Sequence, residues 1–365
     1  MSRFSHGNQI WKAVAAAMVL FGAVGCDRKQ TAESDAPAVA EGAGGDAAVS
    51  NLSGTIKING SSTVLPISNA VREEFIKVYP NVTVEVDGAG TGNGFKDFQK
   101  KATDISDASR PIKPGELSNC NENGVNFVEV PIAYDGLTIV VHPDNDWVDT
   151  LSVDQLKKIF VGDDAAKMWS DVDPKWPEEE INIYSPGTGS GTFDYFREVV
   201  LDDSDASMRT DMNLNEDDNI LVQGVAGNKY SIGFFGVAYY EESKDKLKAV
   251  SVINPKDGKA YQPTTENIAA NKYAPFSRPL FIYVSTASLP RAEVKTFVDY
   301  YLANVSELCE QVGYVRLPAE VLEKGKENLE NEVTGTHFVT AEGESRSGPL
   351  VENFKPENLT KEVSQ

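Results

Sequence analysis

A glycine- and hydroxyl-rich turn set between a short strand and a helix occurs three times in this chain. That repetition constrains the fold more than any other feature. The fullest copy is Ser185-Pro186-Gly187-Thr188-Gly189-Ser190-Gly191-Thr192-Phe193-Asp194-Tyr195-Phe196-Arg197. A β-like run, Ile181–Tyr184, leads into it, and a helix-like run, Phe193–Leu201, leaves it. The first N–H groups of a helix have no partner inside the helix and sit at the positive end of its dipole. Glycines let that backbone approach a ligand, and Ser190 and Thr192 add hydroxyl donors, so the turn can cradle a small anion. Taken alone, such a run is more often a turn with an N-cap. Its recurrence upstream is what favours a site.

The first copy follows the alternating strand Thr55–Asn59. It reads Gly60-Ser61-Ser62-Thr63-Val64-Leu65-Pro66, with Pro66 suited to a first helical turn. The helix beyond it should bury Val71, Phe75 and Val78 and end near Tyr79-Pro80. The second follows the strand Val82–Val86 as Gly88-Ala89-Gly90-Thr91-Gly92-Asn93-Gly94, with a helix expected from Phe95 to about Lys101. Neither glycine-rich turn is a nucleotide motif: Asn93 breaks G-x-G-x-x-G, and no Gly-Lys-Ser/Thr follows for a Walker A loop. Gly189-Ser190-Gly191 is not a hydrolase elbow, because Thr188 and Thr192 hold the outer glycine positions.

Between these copies lies Ser106-Asp107-Ala108-Ser109-Arg110-Pro111, at the end of a short strand. An acid and a guanidinium this close often form a solvated pair worth little. Beside three anion cradles the functional reading is favoured: Arg110 donates to an oxyanion while Asp107 accepts a proton from it. Strands at Val125–Pro131 and Leu137–Val141 should flank a turn at Ala133-Tyr134-Asp135-Gly136. Tyr134 and Asp135 there either line a cleft or serve a structural turn. Farther on, a strand is expected over Arg278–Val284, then helices over Pro290–Leu302, Val305–Val312 and Leu317–Asn331. From Arg346 the chain reads as a loose polar tail.

Charge and histidine content remove several function classes. The 365 residues carry 34 basic against 55 acidic side chains, a formal net charge of −21. No basic face is available for nucleic acid. With histidines only at positions 6, 142 and 337, a zinc site is not supported, and no cofactor is implied. An acidic surface still permits an anionic ligand, since local dipoles dominate inside a cleft. The N-terminus sets the compartment. Arg3 and Lys12 precede a short apolar run, Ala13–Gly25, which ends at Ala23-Val24-Gly25-Cys26. This fits residues 1–25 as a signal peptide cleaved before Cys26, with lipid on its sulfur; an ordinary signal peptide or an uncleaved anchor is the alternative. Residues 26–53 then form a flexible tether. Cys120 and Cys309 remain, and spacing alone does not decide whether they pair.

The four segments Asn59–Pro66, Gly88–Gly94, Ser106–Pro111 and Gly187–Phe193 together resemble the phosphate-binding receptor of the bacterial high-affinity phosphate ABC importer, in its cyanobacterial-like branch. The resemblance runs from about Gly54 to Leu329. It implies an α/β, bilobal periplasmic binding protein of type II, with two mixed-sheet lobes joined by two crossovers. Lobe 1 would comprise 54–140 and 275–345, lobe 2 would comprise 141–274, and 346–365 the tail. By the resemblance, Ser62, Thr63, Val64, Thr91, Ser190, Gly191 and Thr192 bind phosphate, and Asp107 takes its proton. The pattern departs from the family where a ligand arginine is usual, because Pro186 and Thr188 stand there; Arg110 is the natural replacement.

The resemblance further implies a periplasmic, lipid-anchored monomer, not an enzyme, that delivers inorganic phosphate to the permease subunits of an ABC importer. A receptor for another tetrahedral oxyanion, or a phosphate-ester hydrolase on the same scaffold, is the alternative. A surface protein that kept the scaffold and lost the ligand is a third.

Overall fold

The computed structural model describes residues 51–201 and 205–363. The expected signal peptide, Cys26 and nearly all of the tether lie outside the described residues. In chain order the strands are β1 (Gly54–Gly60), β2 (Val82–Asp87), β3 (Ile105–Ala108), β4 (Phe127–Val141), β5 (Thr150–Leu151), β6 (Asn182–Pro186), β7 (Asn213–Asn215), β8 (Ser231–Gly236), β9 (Lys248–Ala249), β10 (Ser251–Ile253), β11 (Ala260–Tyr261) and β12 (Ser277–Ser285). Hydrogen bonding runs β2-β1-β3-β12-β4-β8-β6-β7, with β9 beside β4, and β11-β10-β5 forms a separate small sheet.

β4 is the strand on which both lobes are built. From Phe127 to Gly136 it pairs antiparallel with β12, and from Leu137 to Val141 it pairs with β8. All fifteen of its residues are buried. The turn expected at 133–136 is therefore strand: Ala133 through Gly136 continue the ladder, because they are buried, β12 pairs along one edge and Val315 bridges Tyr134 on the other. On one side of this partner change lie β1, β2 and β3, which are parallel and linked by helices; on the other lie β6 and β8, also parallel.

The helix Leu65–Val78 buries Val71 and Phe75 as its spacing requires, but Val78 is 45% exposed, since it lies in the last turn beyond the sheet. Both glycine-rich helices begin earlier than apolar spacing suggests, at Thr91 and at Gly191. Glycine costs helix propensity, and here the turns it forms start the helices all the same. Ala292–Gln311 is one helix of 20 residues where two were expected, burying Val294, Phe297, Val298, Tyr301, Leu302, Val305 and Leu308. Residues beyond Arg346 are not a loose tail either. Leu350 and Phe354 are buried, and Thr336 pairs with Thr360. Cys120 and Cys309 are both free and buried, and burial pushes each thiol up to about 12.

Candidate functional site

The first cradle is built by β1 running into the helix Leu65–Val78. Ser61 N donates to the Asp107 carbonyl at 2.9 Å, tying the turn to β3, and Thr63 N donates to Ser61 Oγ at 3.1 Å. This leaves Thr63 and Val64 buried at the start of the helix, with Thr63 facing the third cradle. Thr63 Oγ1 donates to the Gly191 carbonyl at 3.4 Å, and Tyr314 Oη donates to the Thr63 carbonyl at 2.7 Å. A Cβ on Gly191 would stand 2.6 Å from Thr63 Cα. Only glycine allows two main chains to meet this closely. Ser62 Oγ adds a bond to Asp194 at 3.1 Å, and Ser190 Oγ caps its own helix by accepting from Thr192 N at 3.2 Å. Ser62, Thr63, Val64, Ser190, Gly191 and Thr192 are thus brought together from segments about 130 residues apart.

The second cradle turns on Gly90, whose φ of +97° is left-handed, and the helix Thr91–Phe98 starts at the next residue. Thr91 Oγ1 accepts from Ser109 N at 3.2 Å and lies 3.1 Å from Ser109 Oγ. Thr91, Ser109 and Arg110 line a cleft of about 520 Å³, and across from them stand Glu198 and Arg278.

Arg278 is the residue that sequence reasoning missed. It lies near the start of β12 and gathers groups from both lobes. Nη2 donates to Thr63 Oγ1 at 3.0 Å, Nη1 to Glu198 at 2.9 Å, and Nε reaches Asp135 at 3.4 Å. Its guanidinium lies 3.6 Å from the centre of the Tyr195 ring, which fixes its plane. Burial opposes its charge, but Asp135, Tyr195 and Glu198 outweigh that and hold its pKa above the ordinary value. Burial likewise lifts Asp135 to about 6, against the pull of Arg278. One signal was present in the sequence: an arginine heading the otherwise apolar run Pro279–Val284.

Three expected residues fall differently. Arg110 does line the cleft, but its fork is closed on Glu116, with both Nη atoms 2.8 Å from the carboxylate. Glu116 is held there because it also caps the helix Pro114–Glu122 through Lys113 N at 2.8 Å. Asp107 is not among the residues that line the cleft. Alternation along β3 sends Ser106 toward Gly94 and Asp107 toward the helix on the opposite face, where Asp107 Oδ2 accepts from Ser68 Oγ at 2.7 Å. Its carboxyl is wholly buried, Oδ1 has no partner, and burial raises its pKa to about 7 against the Ser68 bond. Tyr134 is core: its hydroxyl donates to the Ala269 carbonyl at 3.3 Å. Asp135 serves the site through Arg278.

Among the described residues no group of His, Cys, Asp and Glu could hold a metal, and no helix is long and apolar enough to cross a membrane. What the geometry offers is converging hydroxyls, helix starts and one half-buried guanidinium between two α/β lobes. These features define a bilobal anion-binding receptor of the periplasmic type. Residues 41–305 match the model of the PBP superfamily domain. The chain is 44% identical to Protein SphX of Synechococcus elongatus, over 82% of this chain and 87% of that protein. It is 43% identical to the phosphate-binding protein PstS of Staphylococcus haemolyticus, over 73% and 83%. A solved structure of a possible phosphate binding protein from Planctomyces limnophilus matches with a TM-score of 0.74 at 42% identity, over 77% of this chain and 99% of that one. The chain belongs to the PBP superfamily, within the group that holds SphX and the PstS phosphate-binding proteins.

Proposed function

We propose that this protein is the extracytoplasmic receptor of a phosphate ABC importer, binding inorganic phosphate between its lobes. The observation that carries this reading is that Thr63 bonds both Gly191 and Arg278, and that Arg278 also lines the cleft of Thr91 and Ser109. The positive helix starts at Val64, Gly191 and Thr192 and the hydroxyls of Ser62, Thr63, Thr91, Ser109 and Ser190 serve as the phosphate's neutral partners, exchanging present bonds such as Val64 N to Ser61 O and Thr192 N to Ser190 Oγ for the anion; Arg278 supplies the charge. Arg278 takes the place assigned to Arg110 from the sequence, because it bonds Thr63 where the first and third cradles meet, whereas Arg110 is paired with Glu116. Asp107 has no part in this ligand shell.

Each lobe contributes only part of the shell, so an anion bound there favours closure, and the permease reads the closed form. β4 and the chain entering β12 serve as the two crossovers, with lobe boundaries near residues 140 and 275; the change of partner along β4 from β12 to β8 supports this. The Cys26 lipid holds this receptor at the membrane as a monomer, and the protein has no enzymatic activity. That the relatives named above are phosphate-binding proteins supports the choice of ion. Calorimetric titration of protein stripped of bound anion tests the reading: phosphate is expected to bind at one site per chain and sulfate far more weakly. Equal binding of both ions, or turnover of a chromogenic phosphate ester, overturns it.

A further inference from the structure

The ligand shell leaves a second buried polar cluster unused, on the sheet face that also carries the helix Thr91–Phe98. Glu129, on β4, is 1% exposed, and its carboxylate is met from all sides. Oε2 accepts from Tyr283 Oη at 2.8 Å and from Thr336 Oγ1 at 2.6 Å. Oε1 accepts from His337 N at 2.9 Å and faces His337 Nδ1 at 3.2 Å. Two of these partners belong to the C-terminal segment, which Gly335 attaches to Val128 and Thr336 to Thr360. The third partner leads to the cleft. Tyr283 Oη also accepts from Ile112 N at 2.9 Å, two residues beyond Arg110. The Tyr283 ring meets Phe95 edge-on at 4.9 Å; Phe95 belongs to the helix that Thr91 begins, and Arg110 stands 5.7 Å over its ring. Burial and the neighbouring Glu129 raise the Tyr283 phenol well above its ordinary value, so it keeps the proton it donates.

We propose that Glu129 is a positioning residue for the anion site: through Tyr283 it fastens residues 335–360 to the back of the two cleft turns, Gly90–Gly92 and Ser109–Pro111. This rests on the reading of that cleft as the phosphate site. A buried carboxylate with three donors and an imidazole beside it could instead serve only to staple the C-terminus. The two roles differ in what happens at the turns when the connection is cut while the staple is kept. Tyr283→Phe does that, because it retains the ring and leaves Thr336 and His337 on Glu129.

The test measures phosphate Kd by calorimetry at a temperature where circular dichroism shows each variant folded, together with hydrogen exchange of the Ser109, Arg110 and Ile112 amides. Tyr283→Phe is expected to raise Kd about tenfold, and Glu129→Gln by about fivefold, each from the loss of one net hydrogen bond's worth of order at the turns. Exchange at Ile112 should accelerate in both. Val305→Ala, a cavity in the core beneath the helix Ala292–Gln311, should lower Tm yet leave Kd within about twofold. If the wild type binds phosphate and Tyr283→Phe keeps Kd within about twofold, the proposal is overturned whatever the exchange shows. Should the wild type bind no phosphate while Ile112 exchange still accelerates, the ligand reading falls and the positioning role stands. No acceleration in that case overturns the positioning role too.

Discussion

Replacing Arg278 by lysine keeps a charge at the centre of the cleft but removes the planar fork, so it isolates what the guanidinium geometry contributes. Arg278 reaches Thr63 at 3.0 Å and Glu198 at 2.9 Å, and it stacks on Tyr195 at 3.6 Å. An ammonium can serve only part of that set. The lost net hydrogen bond is worth about 1–1.5 kcal/mol. The lost stacking on a buried ring is worth about 1 kcal/mol. The pair with Glu198 counts for little, because the Glu198 side chain is 59% exposed. The sum, roughly 2–2.5 kcal/mol, corresponds to a phosphate Kd raised about 30- to 70-fold. Calorimetry on anion-stripped protein at pH 8 reads this directly, with Arg110→Lys run beside it. Arg110 is committed to Glu116, so its variant should shift Kd by less than about fivefold. If Arg278→Lys stays within about threefold while Arg110→Lys loses more than about tenfold, the guanidinium that meets the anion is Arg110, and the assignment made here is wrong.

Three other outcomes follow from the same geometry. Asp107 has a pKa raised to about 7, so its contribution to stability is fully present below about 4 and is lost as the pH rises through about 7. Asp107→Asn is therefore expected to melt higher than wild type at pH 8, with no gain at pH 4, and to keep phosphate-over-sulfate discrimination; loss of discrimination would restore the proton-accepting role expected from the sequence. Gly191→Ala places a Cβ 2.6 Å from Thr63 Cα, where backbone cannot yield cheaply, so the cradles separate and phosphate Kd should rise more than about tenfold; unchanged binding would mean that they do not close on one ion. Phe354→Ala opens a cavity against the His337 ring, 4.4 Å away, and should destabilise the protein by about 3 kcal/mol in urea unfolding. An unaltered midpoint would show that the C-terminal segment does not share the fold's stability.

The cradle chemistry was written in local sequence. Glycine and hydroxyl residues between a strand and a helix can be recognised from spacing alone, because turn geometry and helix-start amides depend on neighbours in the chain. The same holds for the strands β1 and β2. Local pattern misled where burial came from elsewhere. Ala133 to Gly136 read as a turn, yet β12 on one side and the change of partner to β8 on the other hold them extended. Residues beyond Arg346 read as solvated, yet Leu350 and Phe354 find the core.

Sequence alone marked this protein as an α/β chain with three glycine- and hydroxyl-rich turns at helix starts, since those properties follow from residue type and short-range order. Which side chains meet in the cleft was decided only by tertiary structure. Strand alternation turned Asp107 to Ser68, the cap of the Pro114–Glu122 helix closed Arg110 on Glu116, and β12 carried Arg278 to Thr63 across a separation of 215 residues. Direction of a side chain from a strand, and the partner it finds there, depend on which elements pack on each face, and that information is spread over the whole chain.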